Sequence, residues 1–261
     1  MYRGFNLKIQ GDDPFGTHKD RGQALFDADA GRMRPKITQY VKDNAIDATK
    51  LQADWFGPEN AHVFISHSHR DVDLALGLAG WLDARFGLRA FIDSTVWGHS
   101  DDLLKQIDNA YCKNEDKKTY SYEARNRSTS HVHMMLSCAL STMIDRAECV
   151  IFLNTPSSIV VKDSIDDAGA SLTASPWIYA ELTTSKLIRK QRPSRIALES
   201  LEKSARRQII ADSATQFHYE VELSHLASLN HSDLVWWDET GGRGTDALDA
   251  LYEFKAEPNE G

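Results

Sequence analysis

An α/β fold, built on a central parallel sheet with helices on both faces, is what the sequence predicts. Three observations predict it. From Ala61 onward, short apolar runs rich in β-formers alternate with longer runs whose apolar residues recur at helical spacing. Glycine, proline and polar turn residues separate the runs. One strand candidate, "CVIFLN", is almost wholly apolar, as a strand covered on both faces must be.

The elements follow in order. The first 60 residues open on an alternating run, Phe5, Leu7 and Ile9. Two weakly periodic helical candidates come next, around Ile37, Tyr40 and Val41 and around Leu51 and Trp55. No chemistry is legible there, so residues 1–60 are expected to form an N-terminal extension packing on a main domain of residues 61–256. In that domain "HVFIS" reads as a strand, and "DVDLALGLAGWLDARFG" as a helix with Leu74, Leu78, Trp81, Leu82 and Phe86 on its apolar face and Gly87 as its stop. "LRAFIDS" reads as a second strand, "TVWGHS" as a loop and "DDLLKQIDNAYC" as a helix with acidic residues in its first turn.

Residues 113–129 are polar enough to be an exposed insertion, and "SHVHMMLSCALSTMIDRAE" is a helix with a broad apolar face. After "CVIFLN" comes a helix announced by Ser175 as N-cap and Pro176 at the first helical position. Beyond it the pattern weakens to a charged helix around 196–211, strands near "FHYEVEL" and "DLVWW", and a closing helix from Thr245.

A formal charge of -8 speaks against a general nucleic-acid or anionic-membrane binder, which needs a basic surface to meet phosphate. The N-terminal stretch lacks the unbroken apolar core of a signal peptide, and no segment reaches membrane-spanning length. A cytoplasmic protein is the expectation. Cys112, Cys138 and Cys149 have no C-x-x-C spacing and read as reduced structural thiols.

In a parallel sheet, ligands sit beyond the carboxyl ends of the strands, so the residues that follow each strand are the site candidates. They are Ser66, His67 and Ser68 after the first strand of the domain, Asp93 and the segment holding Trp97 after the second, and Asn154 and Thr155 after the third. His67, His69 and Asp71 also spell H-x-H-x-D, a pattern that some metal-dependent hydrolases use. A metal site needs further ligands and supporting carboxylates, whereas His99, His131 and His133 form no motif, so no metal is expected. Trp177 and Glu181 stand four apart, on one face of their helix. An aromatic there can stack on a flat ring, and a carboxylate can stabilise positive charge at a sugar carbon. The plain alternative puts the Trp in the core and the Glu near the helix start for the sake of the dipole.

Taken together, "VFISHSHRD", "FIDS" with "TVWGHSDDL", "VIFLN" and "SPWIYAEL" resemble the Toll/interleukin-1 receptor (TIR) family in order, spacing and residue type, over about Ala61 to Arg189. The likeness is greatest to the bacterial branch that cleaves NAD, including the signal-producing TIR proteins of Thoeris antiphage systems. It implies a flavodoxin-like fold. It also implies that Glu181 is the catalytic carboxylate and that Trp177 walls the nicotinamide side of the pocket. Ser66, His67 and Ser68 would line the nucleotide, and Asp93 and Trp97 would belong to a mobile loop that reaches ligand or neighbour.

The activity implied is cleavage of the nicotinamide–ribose bond of NAD, giving ADP-ribose or a cyclic isomer. NAD is then a substrate and no cofactor is implied. Self-association through the domain is implied too, with a downstream effector that senses the nucleotide product. The insertion at 113–129 and the first 60 residues depart from the family pattern. Three rival readings accompany this one: a non-catalytic TIR scaffold, the metallohydrolase of the histidine motif, and a nucleoside 2-deoxyribosyltransferase on a similar sheet.

Overall fold

The computed structural model describes residues 1–30, 36–42, 45–56, 60–114, 118–161, 171–195 and 219–256. Along the chain lie β1 (Arg3–Lys8), α1 (Lys19–Ala30), the short pair β2 (Val41–Lys42) and β3 (Ala45–Ile46), and α2 (Ala48–Phe56). Next come β4 (Val63–Ser66), α3 (Val72–Phe86), β5 (Ala90–Ile92), α4 (Ser94–Tyr111), α5 (Tyr122–Arg146) and β6 (Cys149–Asn154). The chain continues with β7 (Val160–Val161), β8 (Ser171–Thr173), α6 (Pro176–Leu187), β9 (Tyr219–Glu220), β10 (Ala227–Leu229), α7 (His231–Thr240) and α8 (Thr245–Phe254).

The central sheet has five parallel strands in the order β10-β1-β6-β4-β5. Side chains alternate across each strand, and the alternation builds a core on either face. Cys149, Ile151 and Leu153 of β6 face α3, α7 and α8, together with Val63, Ile65, Phe5 and Leu7. Val150 and Phe64 face the other way, onto α2, α4 and α5, while Phe152 meets Ile178 and Leu182 of α6. Helices therefore cover both faces, an α/β arrangement consistent with a flavodoxin-like fold. Among the described residues no helix is long and apolar enough to cross a membrane.

The N-terminal 60 residues are not an appendage. Their first strand, β1, pairs with β6 over its whole length and with β10 on its other edge, so it is an interior strand of the sheet. Counted from β4, the spatial order begins second, first, third, as in a flavodoxin-like sheet, and β1 takes the fourth place. The alternation of Phe5 and Leu7 was visible in the sequence, but a short strand's partners are non-local and its run does not name them. Beyond β1, α1 packs on the outer side of α3, and α2 on α5.

Three further expectations change. The loop expected at "TVWGHS" is helical, because α4 starts at Ser94 and runs unbroken to Tyr111. The insertion shrinks: α5 starts at Tyr122, where the Ser121 side chain accepts from Ala124 N–H and Glu123 suits the first turn. Arg125 and Ser128 both donate to Asp108 at 2.8 Å, which ties this turn of α5 to α4. "DLVWW" is part of α7 and not a strand, since Asn230 and Asp233 form a reciprocal capping box and Trp237 is swallowed by the core. The helix expected at 196–211 lies outside the described residues.

Candidate active site

The buried stripe of α6 is Ile178, Glu181, Leu182 and Ser185, at i, i+3, i+4 and i+7. That is the spacing of one helix face, so the apolar contacts of Ile178 and Leu182 with Phe152 carry Glu181 inward with them. Only 3% of Glu181 is exposed. The helix is set by the Ser175 side chain, which accepts from Ile178 N–H at 3.3 Å, with Pro176 following it. Ser175→Ala should cost about 1 kcal/mol of stability, read as a lowered midpoint in chemical denaturation; no shift would mean the cap does not hold α6.

Across from Glu181 are the carboxyl ends of β4 and β5. Ser66, the last residue of β4, donates its hydroxyl to Glu181 Oε2 at 2.6 Å. Asp93 follows β5 directly, is buried, and stands near enough for its charge to act on Glu181. His67 Nδ1 stands 2.7 Å from Asp93 Oδ1, and both side chains are about as buried as any in the protein. Burial raises the Glu181 pKa well above the ordinary carboxylic value, and the Asp93 charge raises it further, outweighing the Ser66 hydrogen bond that opposes them. For His67, burial alone would favour the neutral ring, but the Asp93 charge, aided by the Ile65 backbone and Asp71, holds its pKa above the usual histidine value.

Within this cluster Glu181 Oε1, both Asp93 oxygens, both His67 ring nitrogens and Ser94 Oγ are buried without a hydrogen-bond partner among the described residues, the close approach of His67 Nδ1 to Asp93 Oδ1 being an ion pair outside hydrogen-bond geometry. Buried polar atoms are nearly always paired, so six orphans at the carboxyl edge of a parallel sheet mark a place for polar ligand groups.

The other expected residues distribute unevenly. Trp177 is half-buried on the α5 side of α6, its ring edge-on to His133 at 5.8 Å. The plain reading of the pair is thus inverted, the glutamate being deeper than the tryptophan. Trp177 and Glu181 both line a groove of ≈ 240 Å³ with Leu140, Ile144 and Thr184. Small-ligand pockets usually span about 300–1,000 Å³, so this groove has room for a ring but not for a whole dinucleotide. Ser68 turns away to accept from Arg70 N–H. Trp97 falls within α4, and its side chain lies outside the described residues.

The H-x-H-x-D residues diverge. His67 goes to Asp93, His69 is exposed, and Asp71 accepts from Thr155 Oγ1 at 2.6 Å. Asp71 caps α3 by position only, since its side chain makes no cap hydrogen bond. The contact of Asp71 with Thr155 ties the turn after β4 to the end of β6, a link between distant stretches that no local spacing announces. The burial of Glu181 did have a local signal, the I-x-x-E-L-x-x-S stripe that puts a carboxylate where an apolar residue belongs.

Fold and site together define an α/β protein with a buried glutamate, aspartate and histidine gathered at the carboxyl edge of a parallel sheet. Compared with family models, curated proteins and solved structures, the chain matches none.

Proposed function

We propose that this protein is a TIR-type enzyme that cleaves the nicotinamide–ribose bond of NAD, with Glu181 as its catalytic carboxylate. The observation that carries the reading is the placement of Glu181. It is a carboxyl group sunk among apolar residues, anchored by Ser66 and opposed by Asp93, in the crevice where this class of sheet binds ligands.

Loss of nicotinamide as a neutral leaving group leaves positive charge on the ribose anomeric carbon. A carboxylate in a low-dielectric site stabilises that charge far better than water does. The ring of NAD is itself cationic before cleavage, so its arrival beside Glu181 favours the ionised carboxylate that the chemistry needs. The groove beside Trp177 is of a size for that ring. Water then attacks the ribose to give ADP-ribose, or a group of the same molecule attacks to give a cyclic isomer. Self-association, a downstream sensor of the product and a role in bacterial antiphage defence belong to the same proposal, on the strength of the sequence resemblance alone.

The test is to incubate the purified chain at high concentration with NAD and to separate the products by chromatography with mass detection. Nicotinamide with a matching ADP-ribose or cyclic product is the expected result, and specific activity should climb with protein concentration. Intact NAD at every concentration would sink the reading.

A further inference from the structure

We propose that Ser66 is a positioning residue for Glu181: its hydroxyl fixes which carboxyl oxygen of the glutamate is held by the protein and which is left to face the substrate. The proposal rests on the NAD reading above and changes the part Ser66 plays in it, from a wall of the nucleotide pocket to a holder of the reactive group.

The geometry carries it. Burial alone does not aim a glutamate, because the last torsion of its side chain is broad and lets the carboxyl group turn. On α6, Ile178 and Leu182 pack on Phe152 and fix the stem of Glu181, which belongs to the same buried stripe. The head is fixed from the sheet. Ser66 Oγ donates to Glu181 Oε2 at 2.6 Å, across 115 positions of sequence, and both residues are buried.

Ser66 is itself firmly held. It is the last residue of β4, an interior strand bonded to β5 on one side and to β6 on the other, and its own register partner is Phe152. A donor carried on such a strand places its partner more precisely than one on a loop does. With Oε2 committed, Glu181 Oε1 is the oxygen left over, buried and without a hydrogen-bond partner among the described residues. Glu181 lines the groove beside Trp177, so the sugar of a ring seated there meets a carboxyl group with one anchored oxygen and one available. Ser66 is only 1% exposed and its proton is spent on Glu181, which leaves it little to offer a nucleotide. Without the hydroxyl the carboxyl group turns about its last bond, and a reactive group misplaced by about 1 Å can cost about 10²-fold in rate.

Two measurements on the full chain test the assignment. The first is the kinetics of nicotinamide release by Ser66→Ala, shown by circular dichroism to be folded. Turnover should fall about 10²-fold with KM for NAD unchanged, so that kcat and kcat/KM drop together. A residue that walls the nucleotide does the opposite, raising KM and leaving kcat alone. The second is a double-mutant cycle in chemical denaturation, without NAD, on Ser66→Ala, Glu181→Ala and the two combined. Partners in one hydrogen bond are not additive, so the combined variant should lose less stability than the two single losses added together. A raised KM at unchanged kcat, or losses that simply add, overturns the assignment. A parent protein that releases no nicotinamide overturns the NAD reading, while the cycle, read without NAD, still decides whether Ser66 holds Glu181.

Discussion

Glu181→Gln should abolish nicotinamide release, lowering it by about 10³-fold or more, while leaving the protein as stable as the parent at neutral pH. The two halves of this expectation have one cause. An amide has the shape of a carboxylic acid, and its oxygen can accept from Ser66. Glutamine therefore keeps the Ser66 contact and has the shape of the neutral form that burial favours at this position. It cannot ionise, so it offers no negative charge to the ribose. Glu181→Ala would lose the same activity but would also leave Ser66 without its partner, and should unfold at lower temperature than the glutamine variant. Release assays and thermal melts on the three proteins decide the matter. Activity retained by a folded glutamine variant would remove Glu181 from the chemistry.

Gly80→Ala should destabilise the protein by about 3 kcal/mol, lowering its melting temperature by about 6–12 °C for a chain of this size. In α3 a methyl group at Gly80 would stand 2.1 Å from the His18 carbonyl oxygen and 2.7 Å from Gly22 N. Gly22 in α1 is as tight, with a methyl group there 1.8 Å from the Leu76 carbonyl oxygen. These neighbours are backbone atoms, so no side chain can swing aside and α1 must lift away from α3. Gly16→Ala is the control. Its methyl group would come no nearer than 3.6 Å to anything, to Asp13 Oδ2, so the change should stay within about 0.5 kcal/mol. A Gly80→Ala protein that melts with the parent would mean that α1 does not lie against α3.

This contact also shows why part of the fold was hard to read. The run "DVDLALGLAGWLDARFG" shows one apolar face through Leu74, Leu78, Trp81, Leu82 and Phe86, whereas α3 is buried nearly all round from Ala75 to Leu82, between the sheet and α1. Its glycines are there for α1, and α1 has too weak an apolar pattern to be seen in the sequence. In the same way "DLVWW" looked like a strand because its residues favour strands, and a capping box together with burial of Trp237 made it a helix. Propensity is a small term that tertiary burial overrides. The strands β4, β5 and β6, with helices α3, α5 and α6, were legible because each is bounded by turn residues and carries its own periodicity.

At the site, the positions came from the sequence and the partnerships from the fold. Ser66, His67, Asp93 and Glu181 could be named in advance, because parallel sheets place ligands at strand ends and because Trp177 and Glu181 share a helix face. By itself the sequence determined the α/β class, most of the elements and this short roll of chemistry-bearing residues, all of which depend on local patterns. Only the tertiary structure decided that β1 completes the sheet from within, that Glu181 is deeper than Trp177, and that His67 lies against Asp93. Strand partners, burial depth and the charge of a carboxyl group all depend on what other parts of the chain bring alongside, and neighbours distant in sequence leave no mark on local spacing.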